Sequence, residues 1–236
     1  MIVLPTKSEI ESFGEKFEEA KDWHDGYIEE GEDMNIFLIS DTHFNHQNME
    51  TYCQRPPDFT ERIIKNWNQT VKRTDTVIHL GDVMIGKKSE WIMPSLPGRK
   101  ILIRGNHDRS QSCTWWMEHG FDFACDQLIF RHVLLTHEPA NAVVKSNGYK
   151  PYGALDWGLP EGCVLNVHGH LHNIWSGFHS PERLERDKEL LGIDPTKRLK
   201  HDWQRLFAVE YTDYKPVEFN KFIANPDRFQ AKGPKK

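Results

Sequence analysis

Ile101-Leu102-Ile103-Arg104-Gly105-Asn106-His107-Asp108 is the stretch that decides how the rest of the chain reads. Aliphatic residues of strand character run almost directly into glycine, an amide, an imidazole and a carboxylate. Average residue usage yields Gly-Asn-His-Asp in roughly one chain in a thousand of this length. The same pattern recurs on both sides. Upstream, Ile36-Phe37-Leu38-Ile39 leads to Ser40 and Asp41-Thr42-His43, and Val77-Ile78-His79-Leu80 leads to Gly81-Asp82. Downstream, Val133-Leu134-Leu135 leads to His137-Glu138-Pro139, and Val164-Leu165-Asn166-Val167 leads to His168-Gly169-His170-Leu171-His172. Helical spacing fits residues 59–72, through Phe59, Ile63, Ile64, Trp67 and Val71, and residues 112–119. The mixture predicts an α/β domain. In open α/β sheets the ligand crevice lies beyond the carboxyl ends of the strands, so the polar tips are expected to converge on one site.

The residue types at those tips define a chemistry. Carboxylate oxygen, imidazole nitrogen and amide oxygen suit Mn, Fe, Ni, Co or Zn, whereas thiolate-selective sites need cysteines that the blocks lack. Two such ions a few ångström apart share a carboxylate and a bridging water of lowered pKa. Asp82 is the natural bridge. Gly81, Gly105 and Gly169 stand where a tight turn delivers its neighbours without a Cβ in the way.

Taken in order, the blocks D-x-H, G-D, G-N-H-D, H and G-H-x-H resemble those of the calcineurin-like metallophosphoesterases over residues 36–172. The closing stretch Leu206 to Phe222, strand-like around Lys215-Pro216, looks like the end of small bacterial and phage members. The resemblance implies a four-layer α/β/β/α sandwich, two facing mixed sheets with the dimetal centre at one edge. It implies that Asp41, His43 and His172 hold one ion, that Asn106, His137 and His170 hold the other, and that Asp82 bridges them. Manganese is the expected metal, with Fe, Ni, Co, Zn or Mg as alternatives. A hydroxide between the ions would attack phosphorus in line while His107 contacts the phosphate or protonates the departing oxygen. Asp108 is the candidate to orient His107. His46, one short turn past His43, and Arg104, beside the third block, are the expected substrate contacts. His79 reads as structural, His168 as support for a ligand, and Arg55, Lys87 and Lys88 as solvated loop cations.

Members that resemble phosphoprotein phosphatases carry an acidic residue three positions after the bridging aspartate, then Arg-Gly, and end the third block in glutamate. This chain has Ile85, Gly86-Lys87 and Asp108. The expected reaction is therefore hydrolysis of a phosphodiester in a small phosphorylated substrate, with nucleotides and cyclic nucleotides among the candidates. Phosphomonoester or nucleotide pyrophosphate cleavage is the enzymatic alternative, and an interaction scaffold of the same fold the non-enzymatic one.

Composition sets the outer bounds. The 236 residues fit one large domain, and a formal charge of −5 argues against general nucleic-acid binding. Cys53, Cys113, Cys125 and Cys163 form neither a C-x-x-C pair nor a dense disulfide framework, which points to reduced thiols in a cytoplasm. No run approaches a membrane span. Ser8 and Glu11 form a capping box at the head of an amphipathic helix over residues 8–28. The expected organisation is an acidic helical extension (1–34) packed on the domain, the catalytic domain (35–224) and a tail (225–236). Residues 140–161 and 173–203 read as long functional loops.

Overall fold

The structure is a computed structural model that describes residues 34–140, 159–173 and 203–224. The expected helix 8–28, the interiors of both long loops and the tail lie outside the described residues. The chain divides at Asn35 into two units, and the elements below all belong to the second.

In chain order these are β1 (Ile36–Ile39), α1 (Asn48–Tyr52), α2 (Phe59–Thr70), β2 (Thr76–His79), α3 (Ile92–Ser95), β3 (Arg99–Ile103), α4 (Cys113–Glu118) and β4 (Phe123–Cys125). There follow β5 (Gln127–Phe130), β6 (Val133–Thr136), β7 (Leu165–His168), β8 (Gln204–Leu206), β9 (Val217–Glu218) and α5 (Phe219–Ala224). The first sheet has the order β4-β3-β2-β1-β9, parallel from β1 to β4 and closed on its other edge by antiparallel β9. The second has the order β5-β6-β7-β8, antiparallel at β5 and parallel thereafter.

Parallel strands covered on both faces need apolar runs, and Ile36–Ile39 of β1, Val77-Ile78 of β2 and Val133-Leu134-Leu135 of β6 supply them. Val133, Leu135 and Val167 of the second sheet enter the same core as Leu38, Ile39, Ile78 and Leu102 of the first, so the two sheets bury their inner faces together. Leu134 alternates to the opposite face of β6, where it packs with Ala140, Leu159, Cys163 and Trp203. On α2, Phe59, Ile63 and Trp67 recur at helical spacing and are buried, while Glu61, Arg62 and Lys65 point outward. Two mixed sheets with helices are the α/β class that the sequence predicts, and their shared core agrees with the four-layer sandwich. No helix of the described residues is long and apolar enough to cross a membrane.

The hydrogen-bond ladder does not stop where the strands do. Past β1 and β2, the amides of Asp41, His43 and Phe44 donate to the carbonyls of Gly81, Asp82 and Val83 at 2.9–3.0 Å. Past β6 and β7, Gly169 N–H donates to the His137 carbonyl at 2.9 Å. The strand tips are thus zipped to one another, which gives their side chains fixed origins.

Candidate metal centre

Two donor groups form at the zipped tips. Ligand atoms of Asp41, His43 and His172 all lie within 4.8 Å of one another, and so do those of Asp82, His137 and His170. Asp82 connects them: its Oδ2 is 3.5 Å from His43 Nε2 and 3.4 Å from His137 Nε2. Asn106 joins the second group through Oδ1, 3.1 Å from both His137 Nε2 and His170 Nδ1. His107 stands at the mouth, its side chain 45% exposed and its Nε2 3.9 Å from Asp82 Oδ2.

The backbone at these positions is unusual. Asp41, His43, Asp82, His170 and His172 all have positive φ, from 44° to 71°, a left-handed conformation that costs a non-glycine residue about 1–3 kcal/mol. Such strain persists where the surroundings over-determine the conformation, as the zipped ladder does here. Two glycines make the approach feasible. A Cβ on Gly105 would collide with the Asp82 carboxylate, and one on Gly169 with Ser40 Oγ and Asp41 Oδ2. Asp41 is held in turn by Ser40 Oγ–H and by the His170 amide, 3.0 Å from Oδ2.

The electrostatics call for cations. Burial pushes Asp41 above the usual carboxylate range, while at Asp82 the burial effect is outweighed by His137 and the group falls well below it. Burial alone would lower His137, yet Asp82 overrides it and raises His137 to about 10. Burial and then the charge on His137 press His170, 3.2 Å away, down to about 3. A proton on His137 thus offsets buried negative charge that a metal ion would otherwise neutralise. His43 is 2% exposed, burial keeps it well below the ordinary imidazole value, and neither ring nitrogen has a hydrogen-bond partner. A buried polar atom without a partner is costly, and a lone pair reserved for a metal accounts for it. The donor set fits divalent ions.

Other expected residues are placed as follows. His46 lies with its ring 5.7 Å from that of His43, and its buried Nδ1 has no hydrogen-bond partner. Arg104 does not extend into the site; its guanidinium holds the Asp126 carboxylate at 2.9–3.1 Å and the Gln111 carbonyl. Asp108 corrects the expectation that it orients His107. It is fully buried, and its oxygens accept from the amides of Asp82, Val83 and Gly105 at 2.6–3.0 Å, so it fastens the second and third loops together. Burial, and then Asp82, raise it to about 6. His79 is structural: Gly81 N–H donates to its Nδ1 at 3.1 Å, and Nε2 meets Thr42 Oγ1 at 3.0 Å. His168 bonds through Nδ1 to the Gly169 carbonyl and reaches no residue of the two groups by a hydrogen bond.

Arg55 overturns its reading as a solvated cation: it is 3% exposed and donates to the carbonyls of Asp41 and Thr42 at 2.7 and 3.0 Å. It also grips Glu210, a residue that sequence reasoning passed over, at 2.8–2.9 Å. The only signal in the sequence was that carbonyls of a strained turn need donors, and nothing local names the residue that supplies them.

A sandwich of two mixed sheets with two donor groups at its strand tips is the arrangement expected of a metal-dependent phosphoric ester hydrolase. Residues 34–227 match the calcineurin-like phosphoesterase family, and the chain belongs to it. Over 191 residues it is 34% identical to the gene 66 protein of Mycobacterium phage L5, covering 70% of this chain and 89% of that protein. The gene 66 protein of phage D29 is 25% identical over 199 residues, covering 71% and 96% respectively. An uncharacterized protein of Methanocaldococcus jannaschii is 44% identical over 82 residues, 31% of this chain, and the match spans only 47% of that protein's length. Among solved structures, a protein of unknown function from Aquifex aeolicus is similar with a TM-score of 0.53 and 27% identity, over 81% of this chain and 99% of that one.

Proposed function

We propose that this chain hydrolyses a phosphodiester with two divalent ions, one held by Asp41, His43 and His172, the other by Asn106, His137 and His170, and both by Asp82. The observation that carries this reading is the position of Asp82, one carboxylate oxygen within 3.5 Å of a histidine from each group. Manganese is the metal proposed, since the donors are oxygen and imidazole nitrogen with no thiolate among them. When bound, such a pair supplies Lewis acidity, making water nucleophilic near neutral pH and clamping the attacking and leaving oxygens.

The remaining work falls to side chains. His107, exposed at the mouth, gives a proton to the departing oxygen or holds a phosphoryl oxygen while it departs. His46 offers a second imidazole to the same phosphate. Asp108 keeps the loops of Asp82 and Asn106 in register and touches no reacting atom.

Preference for a diester is supported by how three described arginines near the blocks are engaged. Arg55, Arg104 and Arg109 all hold carboxylates, on Glu210, Asp126 and Glu138, so none of them offers the free bidentate fork that suits a dianionic monoester. Ile85, 42% exposed, stands where phosphoprotein phosphatases carry an acid. Nucleotides and cyclic nucleotides are the substrates proposed within this class, and the four free cysteines support a reducing, cytoplasmic setting. The test is to compare bis-p-nitrophenyl phosphate with p-nitrophenyl phosphate as substrates of the Mn-loaded protein. Faster turnover of the diester is expected; a faster monoester would refute the preference.

A further inference from the structure

We infer that Glu210 and Arg55 are positioning residues for one half of the metal centre: together they fix which nitrogen of His172 faces the metal and so set the affinity of the Asp41–His43–His172 site alone. The inference rests on the two-ion reading above and deepens it.

His172 presents its two nitrogens to different partners. Nδ1 lies 3.3 Å from Glu210 Oε1 and 3.4 Å from an Arg55 terminal nitrogen whose two hydrogens already go to Glu210 Oε1 and the Asp41 carbonyl, and Nε2 lies 3.6 Å from Asp41 Oδ1, on the side of the donor group. A carboxylate at Nδ1 draws the proton there and leaves the Nε2 lone pair free to ligate; carboxylate–histidine pairs of this kind orient the ring and raise its basicity. Glu210 is itself immobilised. Arg55 Nε and one terminal nitrogen hold Oε1 from 2.9 and 2.8 Å, with both side chains at most 4% exposed.

The same guanidinium donates to the carbonyls of Asp41 and Thr42, across the left-handed turn that carries the other two members of the group. One arginine therefore holds the Asp41-Thr42 backbone that leads into His43 and, through Glu210, His172. Its charge also cancels that of Glu210, so the carboxylate adds orientation without adding net negative charge. Cys53 lies near enough to His172 and Glu210 to form a third donor group, but the guanidinium bound to Glu210 opposes a cation there. Among the described residues, the hydrogen bonds and ion pairs of Arg55 and Glu210 go to Asp41, Thr42, His172 and each other rather than to Asn106, His137 or His170, hence the prediction of an effect on one site.

The experiment is a calorimetric titration of chelator-stripped protein with Zn, using wild type, Glu210→Gln, Glu210→Asp and Arg55→Lys. Folding of each is checked by circular dichroism. Wild type is expected to take two ions; Glu210→Gln should lose affinity for one ion by about 10–100-fold while the other binds as in wild type, with partial recovery in Glu210→Asp. Unchanged affinity at both sites in folded Glu210→Gln overturns the inference and leaves the two-ion reading intact; failure of wild type to bind two ions overturns the reading itself. Should the variants not fold, nitrogen-15 correlation spectra of Zn-loaded wild type decide the matter. The proton is expected on Nδ1 of His172, and a metal-bonded Nδ1 refutes the assignment.

Discussion

At Gly169 a single hydrogen in place of a methyl group lets the last block of the sequence close on the first. Because a Cβ there would strike Ser40 Oγ and Asp41 Oδ2, Gly169→Ala must push apart the two turns that hold Asp41 and His172. A loss of about 1–3 kcal/mol in urea unfolding is expected, together with weaker metal binding. Wild-type stability and affinity would contradict the packing described. His107 sits at the other extreme, its side chain 45% exposed and no closer than 3.9 Å to the Asp82 carboxylate. His107→Ala should lower kcat by about 10²–10⁴-fold with metal binding preserved. The loss should be smaller for a p-nitrophenolate leaving group, which departs without help, than for an alkoxide. Equal losses would remove the general-acid role and leave only phosphate binding.

At the scale of the element, the strands owe their fixed tips to bonds that outrun them, and His79 at the end of β2 is part of that device. Accepting from Gly81 N–H fixes its Nδ1 as a lone pair, so Nε2–H points at Thr42 Oγ1, whose own proton goes to the Val83 carbonyl. Burial, then the charge on His137, lower His79 from 6.5 to about 3. The folded state therefore resists a proton that the unfolded state accepts. The stability concerned is fully present above pH 6.5 and is lost as the pH falls toward 3. His79→Gln should remove about 2–3 kcal/mol of the stability difference between pH 7 and pH 4.5, read from urea midpoints. A variant with the wild-type pH dependence would show that His79 is not the group responsible.

The sequence was most legible at this scale. Strands β1, β2, β3, β6 and β7 were legible because each joins buried apolar residues to a polar block at or just past its end. Strands β4, β5 and β8 went unread: none leads into a block of candidate ligands, β4 and β8 have three residues each, and β5 has no buried residue. At the close of the chain the strand character centred on Lys215-Pro216 falls instead on Val217–Glu218, since a proline has no N–H to give the ladder.

Across the whole molecule, the donor groups could be named from sequence because each lies beside its strand, but the residues that hold them could not. Glu210 follows β8 on a short turn and meets Arg55 across 155 positions of chain, a contact that exists only once both sheets have closed on their shared core. Arg104 and Asp108 show the converse, conspicuous beside the third block yet occupied by Asp126 and by backbone amides. The fold thus gathers five separate strand ends into one cluster of carboxylates and imidazoles. The most direct measurement is to titrate chelator-stripped protein with Mn while following bound metal per chain and turnover of bis-p-nitrophenyl phosphate together, for wild type and for Asp82→Asn. Activity is predicted to vanish on stripping and to return only as the second ion binds, with Asp82→Asn inactive throughout. Full turnover in the presence of chelator, or at one ion per chain, would contradict the two-metal account.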